Sequence, residues 1–85
     1  MRFFQIIWDD DDNPDGNVWH IAEHGLTAAD VEYVLENPVD EETSESTGRP
    51  CCFGYTPGDD YIIVIYDRID ADTIYPVTAY EVPEP

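Results

Sequence analysis

The chain has 85 residues, of which 20 are Asp or Glu and 3 are Lys or Arg, with no lysine and a formal net charge of −17. A field of that sign repels phosphate backbones, so nucleic acid is the least favoured partner and a basic protein or a divalent cation the most favoured, with added salt expected to stabilise the fold. A chain this short buries only about two-thirds of its unfolded surface, which leaves one domain (1–85), one thin core and no deep cleft.

Hydrophobic residues at 42% and aromatics at 13% are enough for a packed core and exceed what a disordered acidic tail carries. Arg2 to Trp8 (RFFQIIW) reads as a first strand, since Phe, Ile and Trp favour extended backbone. It ends in four aspartates rather than a small-residue cleavage site, so it does not read as a signal peptide, and no span approaches the roughly 20 apolar residues of a membrane helix. Asp9 to Gly16 is dense in turn residues. From Asn17, expected as a helix cap, Val18, Ile21 and Ala22 fall at helical spacing until Gly25 supplies a left-handed stop.

A second helix runs from Leu26 to Asn37-Pro38. Thr27 caps it, Asp30 completes a shortened capping box, Leu26 can staple onto Val31, and Val31, Val34 and Leu35 form the buried stripe. Asp40 to Gly48 is acidic and rich in Ser and Thr, which predicts an edge strand or loop. Three strands follow, Pro50 to Tyr55, Tyr61 to Tyr66 and Thr73 to Val82, joined by Thr56–Asp60 and Asp67–Asp72. The middle one is apolar on both faces, as suits a central strand. The expected architecture is α+β in two layers: an N-terminal strand, two helices segregated on one face, then a four-stranded antiparallel meander.

Several motifs bear on chemistry. Cys51 and Cys52 are adjacent, so a bond between them would need a strained turn; reduced, buried thiols in a cytosolic protein are expected. Arg49, two residues away, would lower a thiol pKa, while the surrounding acids push the other way. His20-Ile-Ala-Glu23-His24 spells the inverted zincin motif, and the two histidines share a helix face, but a peptidase needs a third ligand and a larger scaffold. Asp11-x-Asn13-x-Asp15-Gly16 copies the first half of a calcium loop, yet Ala22 stands where the bidentate glutamate belongs, so a solvated turn with at most loose Ca²⁺ binding is expected. No resident metal and no cofactor are implied.

Trp8-Asp9, Asn17, His24-Gly25, the helix ending at Asn37-Pro38, Gly54 and Val77-Thr78-Ala79-Tyr80 resemble the BrnT family of small toxins, which share the RelE/ParE-like ribonuclease superfold. The resemblance implies that fold and a place in a toxin–antitoxin system. It also implies a metal-independent endoribonuclease activity. Where the family has a lysine before His-Gly this chain has Glu23, where it has an arginine after the last Ala this chain has Tyr80, and its basic C-terminal helix has no counterpart before Pro85. Cleavage by a 2′-hydroxyl needs a base, an acid for the leaving oxygen and a cation over the phosphate. His24 or His20 would serve as base, Tyr80 or Tyr55 as donor and Arg49 or Arg68 as cation, with His24, Arg49 and Tyr80 the favoured set. The competing expectation is a non-enzymatic interaction module whose acidic surface and tyrosines engage a basic protein, with a homodimer left open. Convergence of His24, Arg49 and Tyr80 on one patch would favour the enzyme.

Overall fold

A computed structural model describes residues 5–85 of the protein. Among the described residues the first strand, β1, pairs over Gln5–Ile6 and is extended by an Ile7 N–H to Ile74 carbonyl bond of 2.9 Å; residues 2–4 of the expected strand lie outside the described residues. The remaining elements are α1 (Asn17–Ala22), α2 (Ala28–Glu36), β2 (Asp40–Thr43), β3 (Pro50–Tyr55), β4 (Tyr61–Arg68) and β5 (Thr73–Glu81). The strands form one sheet in the order β1-β5-β4-β3-β2, in which β2 to β5 are an antiparallel meander and β1 lies parallel to β5. This is the expected α+β arrangement, with β4 as the central strand.

Alternation along β4 explains the layering. Ile62, Val64 and Tyr66 are buried against the helices, opposite Gly54 and Cys52 of β3 and Ala79 and Pro76 of β5, and they join Ile21, Leu26, Val31, Val34, Leu35 and Ile74 in one cluster. Each fully buried Ile or Val contributes about 1.5–3 kcal/mol relative to exposure, an upper estimate given that unfolded chains are partly collapsed. Ile6 and Trp8 pack against the rim of that cluster, and the Trp8 indole N–H donates to Glu32 Oε2 at 2.8 Å, tying the strand exit to α2.

The helix ends follow local chemistry. On α2, Thr27 Oγ1 accepts the Asp30 N–H at 3.2 Å and Asp30 Oδ2 accepts the Thr27 N–H at 3.0 Å, the reciprocal capping box expected. After α1, Gly25 takes φ +79°, a conformation glycine adopts without a Cβ penalty, and the chain turns directly into α2. One expectation is corrected here: Asn17 is not a cap. Gly16 holds the cap position without a side-chain bond, and Asn17 is the first helical residue, buried at 2% exposure. A Cβ on residue 16 would lie 2.6 Å from Asp9 Cβ, so the turn closes only over a glycine. The 40–48 segment begins with the edge strand β2, whose four residues are all exposed.

Candidate functional site

The Asp9–Asn17 corner is the most densely bonded polar feature. Asn17 Nδ2 donates to the Ile7 carbonyl at 3.0 Å and to the Pro76 carbonyl at 2.9 Å, while its Oδ1 accepts the Asp9 N–H at 2.9 Å. Asp9 Oδ2 in turn accepts the Asn17 N–H at 2.9 Å and the Tyr75 hydroxyl at 2.5 Å. The phenol bond, then the backbone bond, hold the Asp9 carboxyl below its usual range; the same carboxylate pushes the Tyr75 hydroxyl up to about 12. These bonds take up the Asn17 amide and Asp9 Oδ2, so the corner positions α1 against β5.

The acidic turn beyond it is also internally bonded. The Asp10 carbonyl accepts the Asn13 N–H, the Asn13 carbonyl accepts the Gly16 N–H, and the Asn13 side chain accepts the Asp15 N–H. The Trp19 indole N–H donates to the Asp11 carbonyl at 2.6 Å. Among the described residues no group of three or more His, Cys, Asp and Glu side chains is gathered in a way that could hold a metal ion.

Of the three favoured site residues, the fold brings two together. α1 packs on β5, so the turn after it sets the exposed His24 ring beside Tyr80, with centroids 5.7 Å apart; the His20 ring is tilted at 53° to His24, 5.8 Å away. Arg49 is elsewhere. Its Nε donates to Asp67 Oδ1 at 2.7 Å, and Asp67 stands opposite Tyr75 on β5, whereas Tyr80 stands opposite Ile63. Five residues of β5 separate those two levels, about 16 Å at the usual strand rise of about 3.3 Å per residue. Arg68 is opposite Ile74, one residue further from Tyr80. A phosphate held by His24 therefore has neither described arginine beside it, and Glu23 and Glu81 are its chain neighbours instead. Tyr55, the other candidate donor, donates its hydroxyl to Glu84 Oε1 at 2.9 Å.

Both cysteines are free and buried. Burial first, then Glu41 and the neighbouring thiol, push Cys52 up to about 12; burial, then Glu42, raises Cys51. Neither is poised as a nucleophile. The residues that sequence reasoning did not assemble are Tyr75 and Asp67, because their partners Asp9 and Arg49 lie 66 and 18 positions away. Asn17 carried a signal only as a helix-start residue, which pointed to the wrong bond.

No family model matches the chain, and no curated protein does. A solved structure does: the crystal structure of the Brucella abortus ribonuclease toxin BrnT superposes with a TM-score of 0.67 at 24% identity, over 94% of this chain and 97% of that one. The chain has the fold of BrnT. The likeness spans both helices and the sheet together, because coverage is nearly complete on both sides. At this identity the BrnT likeness establishes backbone architecture and leaves the side-chain chemistry to be read from the chain itself. No helix among the described residues is long and apolar enough to cross a membrane.

Proposed function

We propose that this chain is a diverged toxin-fold protein, a component of a toxin–antitoxin type system, that acts by binding a basic protein partner and does not cleave RNA. The observation that carries the reading is the separation of base from cation: His24 and Tyr80 meet at one end of β5, and Arg49 and Arg68 lie at the other. Phosphoryl transfer to a 2′-hydroxyl needs base and positive charge on the same phosphate, within about 3 Å of the reacting atoms. A net charge of −17 adds a penalty on approach of any polyanion and a gain on approach of a polycation.

The rival reading is a metal-independent endoribonuclease with His24 as base, Tyr80 as donor and Arg49 as the phosphate clamp. The His24–Tyr80 contact favours it. It further requires Arg49 to leave Asp67 and the RNA to bridge the length of the strand. Purified protein in excess over mixed-sequence RNA, wild type beside His24→Ala, separates the two. Intact RNA with both proteins, no growth arrest on expression, and salt-sensitive capture of a basic protein encoded beside this chain support the proposal. Cleavage lost in His24→Ala overturns it in favour of the enzyme.

A further inference from the structure

The sheet face away from the helices carries a groove outside the His24–Tyr80 patch. Strand alternation aims Asp40 and Glu42 of β2, Phe53 of β3 and Tyr61 of β4 onto this face, with Asp40 opposite Phe53 in register. Together with Pro83 and Pro85 they line a space of about 210 Å³. The segment carrying the prolines is seated by the Val82 N–H, which donates to the Tyr61 carbonyl at 3.0 Å, and by Glu84, which accepts the Tyr55 hydroxyl at 2.9 Å.

The lining has two chemistries. Phe53 and Tyr61 stack with 17° between planes and 6.1 Å between centroids, and the Tyr55 ring tilts onto Tyr61 at 4.9 Å; Tyr61 is nearly covered at 7% exposure, so the open aromatic surface is mainly that of the half-buried Phe53. Ring faces carry the negative end of the aromatic quadrupole and attract cations. Beside these rings stand two carboxylates close enough for Asp40, by hydrogen bond, to hold the Glu42 carboxyl above its usual range; burial and the same two acids raise the Tyr61 hydroxyl. β2 is the last strand of the sheet and all four of its residues are exposed, so a partner reaches both carboxylates without moving the fold.

We infer that this groove docks an arginine side chain of a basic protein partner, the guanidinium packing on the half-buried Phe53 ring and donating its fork to Asp40 and Glu42. A flat, delocalised cation matches a ring face and a pair of carboxylates at once, which a compact, strongly hydrated ammonium does not. A phosphate or a carboxylate ligand would face two like charges. The inference rests on the reading of a basic partner and names the residues that would receive it. Desolvated arginine in an aromatic pocket is the kind of anchor that dominates small interfaces.

The test is a two-dimensional NMR titration at about physiological ionic strength. The probe is a glycine-spaced peptide with two arginines, run beside its lysine and its neutral citrulline counterparts. Shifts centred on residues 40–43, 53, 61 and 83–85 are expected, with binding weakened about ten-fold in Asp40→Asn/Glu42→Gln and in the lysine peptide, from loss of charge-assisted bonds. The control Asp10→Asn/Asp12→Asn removes the same charge from the exposed turn and should change affinity less than about two-fold if long-range attraction is screened. Phe53→Leu keeps apolar volume while removing a ring face, and should weaken arginine binding more than lysine binding. Circular dichroism checks that each variant remains folded. Equal weakening by the control pair, equal binding of the two cationic peptides, or shifts spread over other acidic surface overturn the groove while leaving a basic partner standing. Absence of binding by either cationic peptide even at low salt overturns both.

Discussion

Replacing Asn17 by alanine should be among the most damaging single substitutions on the polar side of the fold. Its amide makes three bonds, to the Ile7 carbonyl, the Pro76 carbonyl and the Asp9 N–H, at 2% exposure. Truncation orphans three backbone groups at a cost of about 1–3 kcal/mol each, so a loss of about 3 kcal/mol is the low end. A domain of this length has roughly 4–13 kcal/mol in total, from about 0.05–0.15 kcal/mol per residue. At about 4–8 °C per kcal/mol for domains of this size, the melting temperature should fall by about 12–24 °C. Asn17→Asp is the sharper control, because it keeps the shape but sets a carboxylate against two carbonyls. Its folded-state pKa is raised, so the stability of the variant recovers towards wild type below the unfolded value of about 3.9 and declines as pH rises through the folded value. Thermal unfolding followed by circular dichroism at several pH values measures both. A fall of less than about 5 °C for Asn17→Ala, about 1 kcal/mol at this size, would refute the view that this amide fastens α1 to the sheet.

Tyr75→Phe removes the hydroxyl that holds the Asp9 carboxyl down. A depressed carboxyl contributes stability present above its unfolded pKa of about 3.9 and lost as pH falls through the folded value, while the Tyr75 hydroxyl, pushed up to about 12, contributes stability present below about 10 and lost above it. The stability difference between wild type and Tyr75→Phe in urea titrations should therefore be largest between those limits and shrink outside both; a pH-independent difference would contradict the bond. Gly54→Ala places a Cβ 3.0 Å from Val34 Cγ1 and 3.3 Å from the Asn37 carbonyl, so overpacking of about 1–3 kcal/mol should appear as a melting point lower by several degrees. Alkylation of Cys52, its thiol pushed up to about 12 and its side chain in the core, should at neutral pH proceed no faster than unfolding and become rapid in denaturant; fast labelling of the folded protein would sink that reading.

Much of the fold was legible because its signals are local. The Thr27–Asp30 box, the Val31, Val34 and Leu35 stripe, Gly25 and the apolar run of β4 each declare an element within a few residues. The strand ends of β3 at Pro50 and Tyr55 coincide with a proline and the Thr56-Pro-Gly turn. Asparagine caps helices often, so the local signal at Asn17 points to a cap, and only the partners Ile7 and Pro76, the latter 59 residues away, redirect its amide into the sheet. The candidate site divided along the same line. His24 and Tyr80 lie on a turn and a strand that α1 packing joins, whereas the position of Arg49 depends on strand register, which no short motif encodes. The groove of Asp40, Glu42, Phe53 and Tyr61 was visible only as an acidic segment and scattered aromatics until that register put them on one face.

Whether this anionic scaffold holds RNA at all separates a protein-binding role from a nuclease. Fluorescence anisotropy of a labelled single-stranded RNA, titrated with the protein at low and at about physiological salt, measures this directly. The expected result is no saturable binding at either salt, as befits a chain with a net charge of −17 and its described arginines away from His24. A tight complex that weakens steeply with salt and is lost in Arg49→Ala would contradict it.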